Sequence, residues 1–330
     1  MSDRDNSQTQ NSQVTPTKWE REFLDKIVMA SVAENRKSRR WGIFFKFLTF
    51  TYLFILLALM VWSDKLDMSQ AGLKDHTALV KVEGIIGPDT KASADKVVTG
   101  LRNAFEDKKT KAVILRINSP GGSPVQSRYI NEEITRLKQK YPKIPVYAVV
   151  TDMCASGGYY IAAAADEIYA DQGSIVGSIG VLINGFGFVE GMHNLGIERR
   201  LLTAGENKGI LDPFSPLSDK DRGYLQSMLD QLHEQFIGKV KEGRGERLKY
   251  EEFPEVFSGL FWSGEEAKKI GLIDGFGSSS YVAREIVGVE DIVDYTAKDD
   301  VWDRLAERLG AGVAQGMAQI TGLGEGYQLR

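Results

Sequence analysis

The chain has 330 residues, enough for one large domain or two smaller ones with ample core. Hydrophobic residues make up 42% and charged residues 26%, as in an ordinary globular protein, and a net charge of −4 gives no reason to expect nucleic acid as a partner. The single cysteine, Cys154, excludes an intramolecular disulfide and any C-x-x-C metal or redox site.

Met1 to Thr17 is rich in Ser, Asn, Gln and Thr and reads as disordered. Trp19, Phe23, Leu24, Ile27 and Val28 then recur at helical spacing between charges, a stripe suited to the inner membrane face, to a partner, or to a short helix running on. Ile43 to Trp62 is a run of twenty residues with one charge, Lys46, long enough to cross about 30 Å of hydrocarbon as a helix. Trp41 and Trp62 bracket it as interfacial anchors do. Arg36, Lys37, Arg39 and Arg40 precede it, whereas Asp64, Lys65 and Asp67 follow, so the positive-inside bias places the leading tail in the cytosol. A cleaved signal peptide has a shorter leader and a small-residue cleavage site; here the run ends in Val-Trp. A buried core helix is the less expected alternative, because aromatics and leucines occupy every face of the run. The expected organisation is a cytosolic tail (1–40), a transmembrane anchor (41–63), a connector (64–76), an extracytoplasmic domain (77–290) and a docking or oligomerisation segment (291–330).

Within the domain, strand-like and helix-like segments alternate. Strands are expected at Thr77–Val82, Ala112–Ile117, Pro145–Val150, Glu167–Ala170, Ile175–Leu182 and Arg199–Leu202. Helices are expected at Ala92–Asp107, Val125–Lys140, Tyr159–Ala165 and Asp219–Val240, with a capping box at Ser263–Glu266 opening another. This alternation predicts an α/β fold with a largely parallel sheet, whose reactive groups sit at the carboxyl ends of strands. Leu305, Leu309, Val313 and Met317 give the last stretch, Trp302 to Ile320, a docking face.

Two glycine turns fall at such strand ends, Asn118-Ser119-Pro120-Gly121-Gly122-Ser123 and Cys154-Ala155-Ser156-Gly157-Gly158-Tyr159. Glycine lets backbone N–H groups approach a ligand closely, and Ser156 is flanked by small residues. Ser156 is therefore the candidate nucleophile, with Gly122 and Gly157 as oxyanion donors; the competing structural role is tight packing of a helix on the sheet. No G-x-S-x-G elbow exists, because Cys154 stands at the first glycine. Cys154 itself reads as a small buried hydrophobe rather than a thiol nucleophile. A serine needs a base. Of the three histidines, His76, His193 and His233, only His193 is a plausible one. A lysine can replace histidine where burial holds its amine neutral, and Lys208 lies in a glycine-containing loop, although composition does not set it apart from other lysines.

The stretches INSPGGS (117–123), MCASGGYYIAAAADEIYA (153–170), GSIGV (177–181) and the Lys208 loop resemble the signal peptide peptidase A family of bacterial membrane serine peptidases, in its short form, from about Thr77 to Asp274. The resemblance implies a Ser–Lys dyad of Ser156 and Lys208, fifty-two residues apart, with Ser178 orienting the lysine amine. It implies the β-β-α spiral fold of the caseinolytic protease and crotonase superfamily, and assembly into a homo-oligomer. It also implies hydrolysis of remnant signal peptides on the outer side of the bacterial inner membrane, with no cofactor and no metal. In the caseinolytic protease the base is a histidine from the region matching GSIGV, where this chain has none, which favours lysine over His193. Two other classes compete: a non-catalytic membrane-anchored interaction protein on the same scaffold, and an acyl-CoA enzyme of the crotonase type.

Overall fold

The computed structural model describes residues 18–71 and 74–297. The expected disordered tail, Met1–Thr17, and the expected docking stretch, Trp302–Ile320, lie outside them. The chain divides into two units at Met68/Ser69.

The first unit is dominated by one long helix, α1 (Lys18–Ala71). Trp19, Phe23 and Ile27 are exposed on its first part, and Ile43, Phe44, Phe47, Phe50 and Phe54 are exposed further along. Trp41 packs its ring on those of Phe44 and Phe45, each centroid 5.7 Å away. Among the described residues no helix is long and apolar enough to cross a membrane, and the side chains of residues 57–71 are not among those described.

The second unit is an α/β domain on a mixed, mostly parallel sheet, of eight strands among the described residues. Its chain order is β1 (His76–Glu83), α2 (Ala94–Glu106), β2 (Thr110–Ser119), α3 (Pro124–Lys140), β3 (Val146–Ala155), α4 (Gly157–Ala162), β4 (Glu167–Ala170), β5 (Ile175–Gly177), α5 (Val189–Asn194), α6 (Asp219–Arg244), β6 (Phe261–Ser263), α7 (Gly264–Ile270), β7 (Gly275–Phe276), α8 (Ser279–Tyr281) and β8 (Ile292–Asp294). The main path runs β6-β5-β3-β2-β1-β8, with β4 leaving β3 to pair β7. Among the described residues only β5 and β6 pair antiparallel.

The central strands are apolar on both faces, as parallel strands covered on each side must be. Val80, Val82, Leu115, Ile117, Ala148 and Val150 face the main core, packed by Leu101 and Phe105 of α2 and by Ile130 and Ile134 of α3. The alternate residues Leu79, Ile114 and Val149 face a smaller cluster under Val282 and Ala283. Breaks in the apolar runs end the strands: β2 at Ser119 before Pro120, and β3 at Ala155 before Ser156. A buried ion pair ties α6 to this body. Arg244 donates to both oxygens of Asp274, at 2.7 and 2.9 Å, and to the Gly271 carbonyl.

The expected elements from β1 to β4 form with shifts of at most five residues at their ends, and Ser263–Glu266 makes the anticipated capping box. Two expectations are corrected. The strand expected at Ile175–Leu182 stops at Gly177, because Ser178 turns at φ +53° and its amide bonds Leu260 instead. Arg199–Leu202 is not a strand. Among the described residues no strand pairs with it, and Leu202 is 96% exposed. Residues 182–217 form an arm instead, carrying α5 and a small aromatic contact, with the Phe188 and Phe214 rings 5.6 Å apart.

Candidate active site

Ser156 lies between the end of β3 and the start of α4, at φ +52° and ψ −121°. A side chain there is unusual in an L-residue and costs of order 1–3 kcal/mol, which the surroundings must supply. They do so from both directions. Its amide donates to the Gly177 carbonyl at 2.8 Å, and its carbonyl accepts from Tyr160 at 3.0 Å. The residue is half-buried, and its hydroxyl has no hydrogen-bond partner among the described residues.

The second glycine turn packs against this one. Gly122 forms an isolated parallel bridge with Ile86. Ile86 donates to the Gly121 carbonyl (2.9 Å) and accepts from the Ser123 amide (2.8 Å), so the N–H of Gly122 faces the other way and is unbonded among the described residues. Its nitrogen lies 3.3 Å from where a Cβ on Gly157 would stand. Gly157 must itself be glycine, because that Cβ would also strike the Ser127 hydroxyl. As the first residue of α4, Gly157 has no acceptor for its amide within the helix. Two unbonded amides on adjoining turns beside one serine are the donor set that a tetrahedral oxyanion requires.

Helix α3 starts where the turn ends because Ser123 caps it, accepting from the Gln126 amide, and Pro124 occupies the first turn, where no N–H is needed. Ser127, one turn on, donates to the Ser123 carbonyl at 3.0 Å. Asn131 donates to the Tyr160 carbonyl at 2.8 Å, which locks α3 to α4.

Ser178 shares the rare backbone of Ser156, at φ +53°. Its amide donates to Leu260 at 2.7 Å and its carbonyl accepts from Gly180. Because the preceding residue, Gly177, holds the Ser156 amide, the two serines belong to one hydrogen-bonded unit. Trp262 of β6 packs on Gly177, with its buried indole N–H unpartnered. His233 of α6 donates from Nε2 to the Ile179 carbonyl at 3.0 Å.

Lys208 is placed differently. It sits on the arm, exposed, with its amide bonded to Gly205 at 3.1 Å. No hydrogen bond joins it to Ser156 or Ser178 within the chain. The chain brings the turns of Ser156, Gly122, Gly157 and Ser178 together and does not bond Lys208 to them. His193 is exposed on α5. Cys154 is fully buried, and burial pushes its thiol far up, so a thiolate nucleophile is not formed there.

Sequence reasoning missed Ser119, Ser127, Trp262 and His233. Each acts on a backbone group or a glycine, which leaves no residue-type signature. For Ser119 a signal existed: a polar side chain closing an apolar strand must find a partner when buried.

A sequence profile of peptidase family S49 matches residues 138–290, which include Ser156, Ser178 and Lys208. A putative protease of Methanocaldococcus jannaschii is 32% identical over 241 residues, covering 71% of this chain and 76% of that protein. The chain belongs to peptidase family S49. Among other relatives, a putative signal peptide peptidase SppA of Enterococcus faecium is 29% identical, over 66% of this chain and 63% of its own. A protein of Brucella abortus named Na(+)/H(+) antiporter NhaA is 48% identical over 188 residues, 57% of this chain. The S49 chain spans a quarter of the length of that Brucella protein.

Proposed function

We propose that this chain is a membrane-anchored serine endopeptidase with Ser156 as nucleophile and Lys208 as general base. The observation that carries the reading is the strained Ser156 at a helix N-terminus, with its free hydroxyl beside the unbonded amides of Gly122 and Gly157. The uncharged Lys208 amine takes the Ser156 proton as Oγ attacks a peptide carbonyl. The two glycine amides hold the oxyanion, each worth about 3–4 kcal/mol in the transition state. Lys208 then passes the proton to the leaving amine, and water follows the same path to release the acyl group. Ser178 orients the lysine amine, which its position one residue beyond Gly177 favours.

Lys208 is exposed in the protomer, so the reading requires assembly to bury it. Leu182, Phe186, Leu195 and Leu202 of the arm are 75–96% exposed and offer apolar surface to another copy in a homo-oligomer. The exposed apolar run from Trp41 to Leu56 supports a single-pass anchor in the inner membrane of a bacterium, with the tail cytosolic and the catalytic domain outside. A tethered domain meets apolar, membrane-associated peptides, and the name of the Enterococcus relative supports remnant signal peptides as substrates. The forking of β3 to β4 and β5 supports the β-β-α spiral of the caseinolytic protease and crotonase superfamily.

A fluorophosphonate probe tests the reading. Ser156 is the expected labelled residue, and Ser156→Ala should lose both labelling and peptide hydrolysis with its melting temperature intact. An unlabelled wild type with no hydrolysis would mark the chain as a non-catalytic member of the family.

A further inference from the structure

Ser119 closes β2 and is fully buried. Its hydroxyl donates to the Gly84 carbonyl at 2.6 Å and accepts from the Gly121 amide at 3.1 Å. Gly84, just beyond β1, is pinned a second time by its own amide, which donates to Asn118 at 2.9 Å. One hydroxyl therefore bridges the segment that leaves β1 and the turn that leaves β2.

The peptide unit that matters lies between Gly121 and Gly122. Its carbonyl accepts from Ile86, and its N–H is the unbonded Gly122 amide of the candidate oxyanion hole. Glycines on both sides, at φ +101° and +149°, leave this unit little steric resistance to rotation. A flip would aim the Gly121 carbonyl, rather than the Gly122 N–H, at the space beside Ser156. Resistance must therefore come from outside the unit. Ile86 grips its carbonyl, and Ser119 grips both the amide of Gly121 and the strand extension that carries Ile86.

We infer that Ser119 is a positioning residue: its hydroxyl holds the Gly121–Gly122 peptide in the orientation that presents the Gly122 N–H to the oxyanion. The inference rests on the peptidase reading above and on the assignment of Gly122 as a donor. Removing the hydroxyl leaves the Gly84 carbonyl and the Gly121 amide short of a partner and frees the turn to populate the flipped state. The loss then falls on the transition state, where the donor acts, and not on ground-state binding of the peptide.

The test uses the full chain, with active sites counted by fluorophosphonate titration so that rates refer to folded enzyme. Ser119→Ala should lower kcat per titrated site roughly 10- to 100-fold with KM within about twofold. Inhibition by a peptide aldehyde, whose adduct with Ser156 carries the oxyanion, should weaken by a similar factor. Ser119→Cys, which keeps the volume but bonds weakly, should fall between the two, and it decides on the same criteria if the alanine variant does not fold. Unchanged kcat per site in the variant, or a lost kcat with undiminished aldehyde affinity, would overturn the inference and leave the peptidase reading standing. A wild type whose Ser156 takes no probe would overturn both.

Discussion

The body of the domain, residues 76–179, and its arm, residues 182–217, are built by opposite rules. In the body, strands buried on both faces set each functional residue, and hydrogen bonds from neighbouring turns hold Ser156 at a backbone angle it would not adopt alone. In the arm, the larger apolar side chains face outward, and cohesion comes from a few contacts such as the Phe188 and Phe214 rings and the Arg199–Asp212 pair at 3.4 Å. The difference divides the labour of the site. The proposed nucleophile and oxyanion donors are preorganised by the fold, whereas Lys208, the proposed base, stands on an exposed segment of low local stability, whose burial depends on what it meets.

Four predictions press on that contrast. The largest effect is expected at the base: Lys208→Ala should cut hydrolysis by at least about 10³-fold while thermal unfolding stays that of wild type, measured by peptide turnover and calorimetry. In the body, Asp274→Ala should destabilise the fold by about 3–5 kcal/mol, because it strands the buried Arg244 guanidinium; a denaturant titration reads this, and a negligible change would show the pair to be dispensable.

On the arm, Leu202→Asp should alter protomer stability by less than about 0.5 kcal/mol yet lower the oligomer fraction in sedimentation, and activity with it. A large stability loss would mean that the arm is packed after all. The smallest effect concerns pH. Hydrogen bonds from Arg136, and then from Arg102, hold the Glu133 carboxyl down at about 2. A carboxyl lowered on folding stabilises the fold above its unfolded value, about 4.3, and loses that contribution as pH falls toward 2. Stability should thus decline below about pH 4.5, and Glu133→Gln should shallow the slope.

What could be read from the residues follows the same division. Strands β1 to β4 were legible because a parallel strand buried on both faces is a near-continuous apolar run, as in Ala112–Leu115. Ser156 and the glycine turns were legible because few residue types fit a strand-to-helix corner where backbone amides must face outward. Arg199–Leu202 misled for a physical reason: two adjacent leucines after two arginines look like a strand, but the pattern does not say whether apolar side chains face their own core or another surface. Lys208 carries no local mark, and its proposed role comes from family resemblance alone. Trp262 and His233 stayed hidden because their partners, Gly177 and the Ile179 carbonyl, are far from them in sequence and carry no residue-type mark, whereas Ser119 offered one signal, a polar side chain closing an apolar strand.

The pairing of Ser156 with Lys208 is tested most directly by the rate at which a fluorophosphonate modifies Ser156, followed across pH in wild type and in Lys208→Ala under conditions where the chain is assembled. The account predicts modification at Ser156 alone, accelerating toward mildly alkaline pH in the wild type and nearly absent in the variant. Equal rates in the two proteins would contradict it, since the serine would then be activated without that lysine.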